Sequence, residues 1–262
     1  MIQIGATLLT RLSIALVLIL ATDSASHAET VIADLSDSLV EIESNFVGTE
    51  LTVFGSIERD AATVARQGGY DVVVVVRGPL QTIVTRRKAR TAGLWLNRDA
   101  ITFLNVPAYY AVLSTRGLSL IGDGTVYERF GIGLTALRFL PREGNVPEAV
   151  RIAFQSAMIR LKISEGLYRE APTGVTMMSP TLFRSRIELP SNIATGVYSA
   201  NIFVFGGRSI VGQQQLIFQV RKSGVEAEIF ELAHDNPLTY GVLAVLVALA
   251  AGWLAGVIFR SS

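Results

Sequence analysis

The chain has 262 residues, half of them apolar, with a mean hydropathy of +0.44 and a formal net charge of +1. It carries no cysteine, which excludes disulfides, thiolate metal sites, iron–sulfur clusters and cysteine nucleophiles in one step. Once Arg11, Asp23 and Arg260 are set aside with the terminal apolar segments, basic and acidic residues are equal in number, a balance that argues against bulk nucleic-acid binding.

Residues 1–28 read as a secretory signal peptide. Arg11 closes a weakly basic start, LSIALVLILA at 12–21 is the apolar core, and Ser26 and Ala28 frame a small-residue cleavage site before Glu29. The region 29–121 then reads as a β-sandwich-like run of strands. Val40 and Ile42 alternate with Glu41 and Glu43, the pattern of a half-buried strand. A second strand is expected at 50–57. The five consecutive valines within DVVVVVRGP (71–79) predict a strand covered on both faces, because β-branched side chains favour strands and the run is too short to span a membrane. Further strands at 81–87, 93–97, 101–104 and 109–114 follow at short spacing, the rhythm of an antiparallel sandwich.

The period changes in the helical segment 122–172. At 147–167 Val150, Ala153, Phe154, Ala157, Met158 and Leu161 recur at three- and four-residue spacing. Arg151, Gln155, Arg160 and Lys162 take the other side, with Pro147 at the start and Gly166 at the end. A weaker helix is expected at 124–140, softened by Gly131 and Gly133. Strands return in an immunoglobulin-like β region at 173–224, with expected spans at 182–189, 196–205 and 210–222 and a hairpin at Gly206–Gly207. Tyr198 is placed to act as a tyrosine-corner residue, its hydroxyl bonded to upstream backbone. A juxtamembrane segment at 225–237, with a short acidic helix expected at 225–234, leads into LTYGVLAVLVALAAGWLAGVIF at 238–259. That stretch is uncharged, and at about 1.5 Å per residue it can cross a hydrocarbon layer of about 30 Å. The pattern predicts a single-pass protein of the inner (plasma) membrane, with its ectodomain in the periplasm and residues 260–262 in the cytoplasm. Glu226, Glu228, Glu231 and Asp235 on one flank and Arg260 on the other agree with that orientation.

Several segments carry a family resemblance: NFVGTELTVFG (45–55), DVVVVVRGP (71–79), RRKAR (86–90) followed by GLWLN (93–97), VPAYYAVLSTR (106–116) and LFRSRIELP (182–190). Together they resemble an alphaproteobacterial family of transmembrane proteins of unknown function, built from a signal peptide, a β-rich periplasmic region and a single C-terminal span. The resemblance implies an association with sulfite-exporter-type permeases and hence an accessory role. It carries no catalytic or ligand residues.

Arg86, Arg87, Lys88 and Arg90, with Arg77 and Arg98 nearby, form the densest polar feature. Guanidinium forks match the oxygens of small oxyanions and lipid headgroups, so the run is a candidate for anion or partner binding. The plainer reading is a solvated strand end, or a patch paired with the acidic residues at 34–50. GIGLTA at 131–136 fits the Gly-x-Gly-x-x-Ala dinucleotide pattern, which needs a strand before it and a helix after it. Its flanks are poor for that role, and the glycines are expected to loosen a packed helix instead. His234 is the one histidine outside the leader and reads as an interfacial residue rather than part of a triad or metal site. Asp34, Asp37, Glu41 and Glu43 lack calcium-loop spacing and read as exposed strand positions. Trp95, Tyr109 and Tyr110 read as core aromatics rather than a groove. In the span, Gly252 and Gly256 make a small-xxx-small face suited to helix–helix packing.

The expected fold is mainly β: an immunoglobulin-like β-sandwich ectodomain of one or two sandwiches, an intervening amphipathic helix and one C-terminal transmembrane helix. The expected function is non-enzymatic, a membrane-anchored periplasmic accessory or interaction protein supporting an inner-membrane transporter. The partners implied are the inner membrane, a sulfite-exporter-type permease or a second copy of the span, with no nucleic acid, metal or cofactor. A periplasmic small-oxyanion-binding protein is the alternative. A hydrolase with an unrecognised carboxylate site is a third reading.

Overall fold

The computed structural model describes residues 29–43, 46–58, 69–91, 93–223 and 233–259. The leader at 1–28, most of the acidic helix expected at 225–234 and the tail at 260–262 lie outside the described residues. The first half contains β1 (Thr30–Leu35), β2 (Leu39–Ile42), β3 (Gly48–Glu58), β4 (Asp71–Arg77), β5 (Leu80–Thr91), β6 (Leu94–Pro107) and β7 (Tyr110–Ser114). Two short helices follow, α1 (Leu118–Ile121) and α2 (Gly124–Phe130), then a 3-10 turn at Leu134–Ala136, β8 (Leu140–Pro141) and the longer α3 (Glu148–Ser164). The chain returns to strands in β9 (Tyr168–Ala171), β10 (Val175–Met177), β11 (Leu182–Pro190), β12 (Gly196–Gly206) and β13 (Ser209–Lys222), and ends in the apolar helix α4 (Pro237–Phe259).

The protein is mainly β, and the expected sandwich is present. A first sheet has the order β1-β3-β11-β10, all antiparallel. A second has the order β2-β13-β12-β4-β7-β9, in which β2–β13 and β7–β9 are parallel and the other pairs antiparallel. Strands from the region 29–121 and strands from the region 173–224 therefore share the same two sheets. The first sheet obeys the period of two: Phe183, Ser185, Ile187 and Leu189 of β11 are buried, while Leu182, Arg184, Arg186 and Glu188 are exposed. Its inner face meets the second sheet closely. Gln214 Nε2 donates to the Ala33 carbonyl at 3.2 Å, and the Tyr109 hydroxyl donates to the Glu188 carbonyl at 2.7 Å.

The valine run lies where its composition predicts. Val72 to Val76 form a central strand of the second sheet and are completely buried on both faces. Burying each such side chain stabilises the fold by about 2 kcal/mol. The second covering layer comes from the helical segment. Phe130 packs on Phe203 and Tyr127 on Phe205, with ring centroids 5.4 and 6.1 Å apart.

α3 matches the expected helix. It ends in the paired hydrogen bonds of a glycine-terminated helix, Gly166 N–H to the Ile163 carbonyl and Leu167 N–H to the Lys162 carbonyl, with Gly166 at φ 73°. Its packing differs from the spacing rule. Val150, Ala153 and Leu161 are exposed, whereas Gln155, expected on the polar side, is buried. Backbone groups of the neighbouring loop hold it inside. Gln155 Nε2 donates to the Leu137 carbonyl at 2.8 Å and its Oε1 accepts the Phe139 N–H, pinning the loop before β8. The soft helix expected at 124–140 is corrected to one that stops at Phe130. Gly131 adopts the left-handed conformation at φ 61° and caps α2 instead of loosening it. The two strands expected at 93–97 and 101–104 are one strand, β6, with a bulge.

Tyr198 behaves as expected: fully buried, its hydroxyl donates to the Ala194 carbonyl at 2.6 Å, four residues upstream. Tyr109, Tyr110 and Tyr168 are buried beside it or against one another and likewise donate to backbone carbonyls, at Glu188, Gly131 and Pro107. Burial pushes all four phenols well above the ordinary tyrosine range.

Candidate functional site

Two features carry the expected chemistry, the basic run and the apolar helix. The basic run lies on the hairpin of β5 and β6, which forms a third sheet with β8. β8 pairs only with Phe103 and Leu104, so the hairpin beyond Thr85 and Ile101 continues as a two-stranded arm. The alternation of a strand divides the run. Arg86, Lys88 and Arg90 share one face and are exposed. Arg87 takes the other face, where it pairs with Asp99 and stacks its guanidinium 5.7 Å from the centre of the Phe154 ring of α3. A bulge between Arg87 and Lys88 accommodates Arg98 as the extra residue, since Arg87 lies opposite Asp99 and Lys88 opposite Asn97.

One side of the arm thus leans on α3, and the other presents three cations. Among the described residues Arg86, Lys88 and Arg90 make no ion pair. The acidic residues at 34–50 do not pair with them: Glu41 binds Arg221, and Asp34 accepts the N–H of its neighbour Leu35. In register, position 95 lies opposite Arg90, position 96 opposite Ala89 and position 94 opposite Thr91, so the first residues of β6 pair with the last of β5 to end the arm.

Arg77, adjacent to the run in sequence only, has a structural role. Its Nη2 donates to the Phe130 and Gly131 carbonyls at 2.7 and 2.9 Å, and its guanidinium lies 5.9 Å from the Tyr110 ring centre. Those bonds satisfy the carbonyls left open at the end of α2. They also account for the GIGLTA segment. It is preceded by a helix, its own last three residues form a single 3-10 turn, and its Gly133 N–H donates to the Tyr110 hydroxyl at 2.9 Å. The strand-and-helix setting of a dinucleotide loop is not what surrounds it. Tyr109 and Tyr110 are core residues. Among the described residues no three His, Asp or Glu side chains gather closely enough to hold a metal.

α4 is long and apolar enough to cross a membrane, and none of its apolar window is buried against the rest of the chain. Gly252 and Gly256, one turn apart, form one face with open space around them. His234 lies three residues before α4 begins.

Sequence runs miss a second positive concentration. Arg184 and Arg186 on β11 and Arg169 on β9 meet where the edges of the two large sheets converge, joined there by Glu188. The residues stand far apart in the chain, and on β11 the alternation Phe183–Arg184–Ser185–Arg186 looks like any half-exposed strand.

A family model described as "Putative transmembrane protein (Alph_Pro_TM)" matches residues 30–261. Comparison with curated proteins finds no match.

Proposed function

The chain belongs to the Alph_Pro_TM family of transmembrane proteins, and on that premise we propose that it is a membrane-anchored, non-enzymatic interaction protein that supports an inner-membrane transporter. α4 anchors it to the membrane. In this reading residues 1–28 direct export, the β-sandwich stands in the periplasm, and the end of the chain returns to the cytoplasm. The transporter is a sulfite-exporter-type permease.

The observation that carries the reading is the arm. A two-stranded ribbon is marginal by itself in water, yet β5 and β6 extend well past the third strand, and the exposed face holds Arg86, Lys88 and Arg90 with no acidic partner among the described residues. Such a face suits an acidic surface on a partner. Tethering by α4 adds effective concentration, since a partner in the same membrane meets the arm as a near-intramolecular event. The open face at Gly252 and Gly256 offers a second contact within the bilayer. The shifted carboxylates each have a local structural cause. Glu148 is held below the usual range by its hydrogen bond to Arg151, and Glu143 by backbone N–H donors.

The test is purification of the tagged full-length protein from its native membrane in a mild detergent. Gly252→Leu/Gly256→Leu and Arg86→Glu/Lys88→Glu/Arg90→Glu are run beside it. Recovery of one multi-span transporter in stoichiometric amount, lost in the arm variant, supports the reading and locates the contact. Loss in the glycine variant alone moves the contact into the bilayer. Failure to recover any transporter across several detergents overturns it.

A further inference from the structure

The cleft between the edges of the two large sheets has the makings of a ligand site that the arm does not share. Its volume is about 390 Å³, and its polar wall is formed by Arg169, Thr173, Thr176, Arg184, Arg186 and Glu188. β11 supplies the arginines. Phe183, Ser185 and Ile187 are drawn into the core, so Arg184 and Arg186 both project from the outer face, roughly 7 Å apart along the strand. Thr176 lies directly opposite Arg184 on β10.

The opposite bank is built as firmly. Ala171 to Gly174 form a turn closed by the Gly174 N–H on the Ala171 carbonyl at 3.0 Å, with Pro172 preset for its place in the bend. The turn is tied to β11 by the buried Ser185 hydroxyl, which donates to the Gly174 carbonyl at 2.9 Å. It is pressed so closely on β7 that a Cβ at position 174 would lie 2.9 Å from Leu113 Cβ. Both banks are therefore held to the sandwich core and preorganised.

Charge decides what this space can take. Glu188 is committed to Arg169. The side chains of Arg184 and Arg186 form no ion pair or hydrogen bond among the described residues, so the cleft keeps two uncompensated guanidinium groups that repel one another. A doubly charged tetrahedral oxyanion relieves that repulsion. Its oxygens fit the planar forks of the guanidinium groups, and the threonine hydroxyls can donate to whatever oxygens remain. We propose that the cleft binds such a dianion, a phosphate or sulfate group, between Arg184 and Arg186. The inference does not depend on the transporter reading, since it uses other residues on another face.

The experiment uses the full-length protein in a neutral detergent, titrated calorimetrically with sodium phosphate and sodium sulfate at ionic strength matched with chloride. Parallel thermal unfolding compares neutral-lipid nanodiscs with nanodiscs carrying phosphatidic acid. Saturable binding is expected, weakened at least about tenfold in Arg184→Gln/Arg186→Gln and unchanged in Arg86→Gln/Lys88→Gln. Thr176→Val, which leaves both charges in place, is expected to weaken it by a smaller factor. Retention of the β-sheet circular dichroism shows that the arginine variant is folded. If it does not fold, Arg184→Lys, which keeps the charge and loses the fork, takes its place with the same expected direction. Binding of the free anions identifies a soluble ligand, and a response to phosphatidic acid alone identifies a lipid headgroup; both support the site. Binding that survives in the folded arginine variant overturns it, as does equal loss in the Arg86/Lys88 control. So does the absence of any response to ~10 mM anion and to the acidic lipid.

Discussion

At the scale of single residues, close approach in the sandwich explains positions that composition leaves blank. Gly55 of β3 faces the core, where a Cβ would lie 2.6 Å from the Phe183 ring, 2.7 Å from Ala33 Cβ and 2.8 Å from the Ile32 carbonyl. No flexible side chain is available to move aside. Gly55→Val is therefore expected to cost about 3 kcal/mol or more, read as a fall in the thermal midpoint of the full-length protein; an unchanged midpoint would show that β1 and β11 can separate at little cost. Gly207 and Arg208, which turn the last hairpin, both have positive φ, at 59° and 73°. That geometry matches the twist of the strands on either side. Arg208 tolerates the conformation with its side chain bound to Asp123 and the Gly122 carbonyl. The hairpin was legible from Gly206–Gly207, but a non-glycine in the second central place was not.

At the scale of elements, strands and helices were legible wherever one local signal decided them. Five β-branched residues in a row fixed β4 as a doubly covered strand. Pro147 and Gly166 bracketed α3, and Tyr198 found the carbonyl upstream of it. Pairing was not legible, because β3 meets β11 and β4 meets β12 through partners more than a hundred residues away. The candidate sites follow the same division. The run at 86–90 was conspicuous in the chain, yet alternation splits it, whereas Arg169, Arg184 and Arg186 are inconspicuous and converge. Arg87 tests that split. Its pair with Asp99 is largely exposed, at 62% and 43%, so Arg87→Ala is expected to change stability by less than about 1 kcal/mol. Val74→Ala in the buried centre should cost about 2 kcal/mol. Comparable midpoints for the two variants in one unfolding series would contradict the assignment of core and arm.

At the scale of the whole molecule, four buried phenols tie stability to alkaline pH. Tyr109, Tyr110, Tyr168 and Tyr198 are held protonated in the folded state chiefly by burial, while in the unfolded chain they ionise near pH 10. Their folded values are the raised ones, so their contribution is complete below about pH 10 and is lost as pH climbs beyond it, where the unfolded state releases protons that the folded state keeps. The thermal midpoint is expected to hold to about pH 9.5 and then fall steeply, with the phenolate absorbance of these four tyrosines rising only as the sheets come apart. Tyr110→Phe should make the fall shallower. Ionisation of the buried set near pH 10 without unfolding would refute the linkage. The parallel pairing of β2 with β13 reaches further still. Arg221 holds Glu41 across a separation of 180 residues, and β13 also lines β12, so the second sheet lacks an interior strand until the chain has been made as far as Lys222. Assembly of the sandwich is therefore a late event in the life of each new chain, slow because the longest loop must close. It is completed only once Lys222 has been made, with α4 beginning at Pro237. Until their late partners β11 and β12 are made, β3 and β4 each wait with an open edge, and a chaperone has its longest opportunity to hold the unfinished protein.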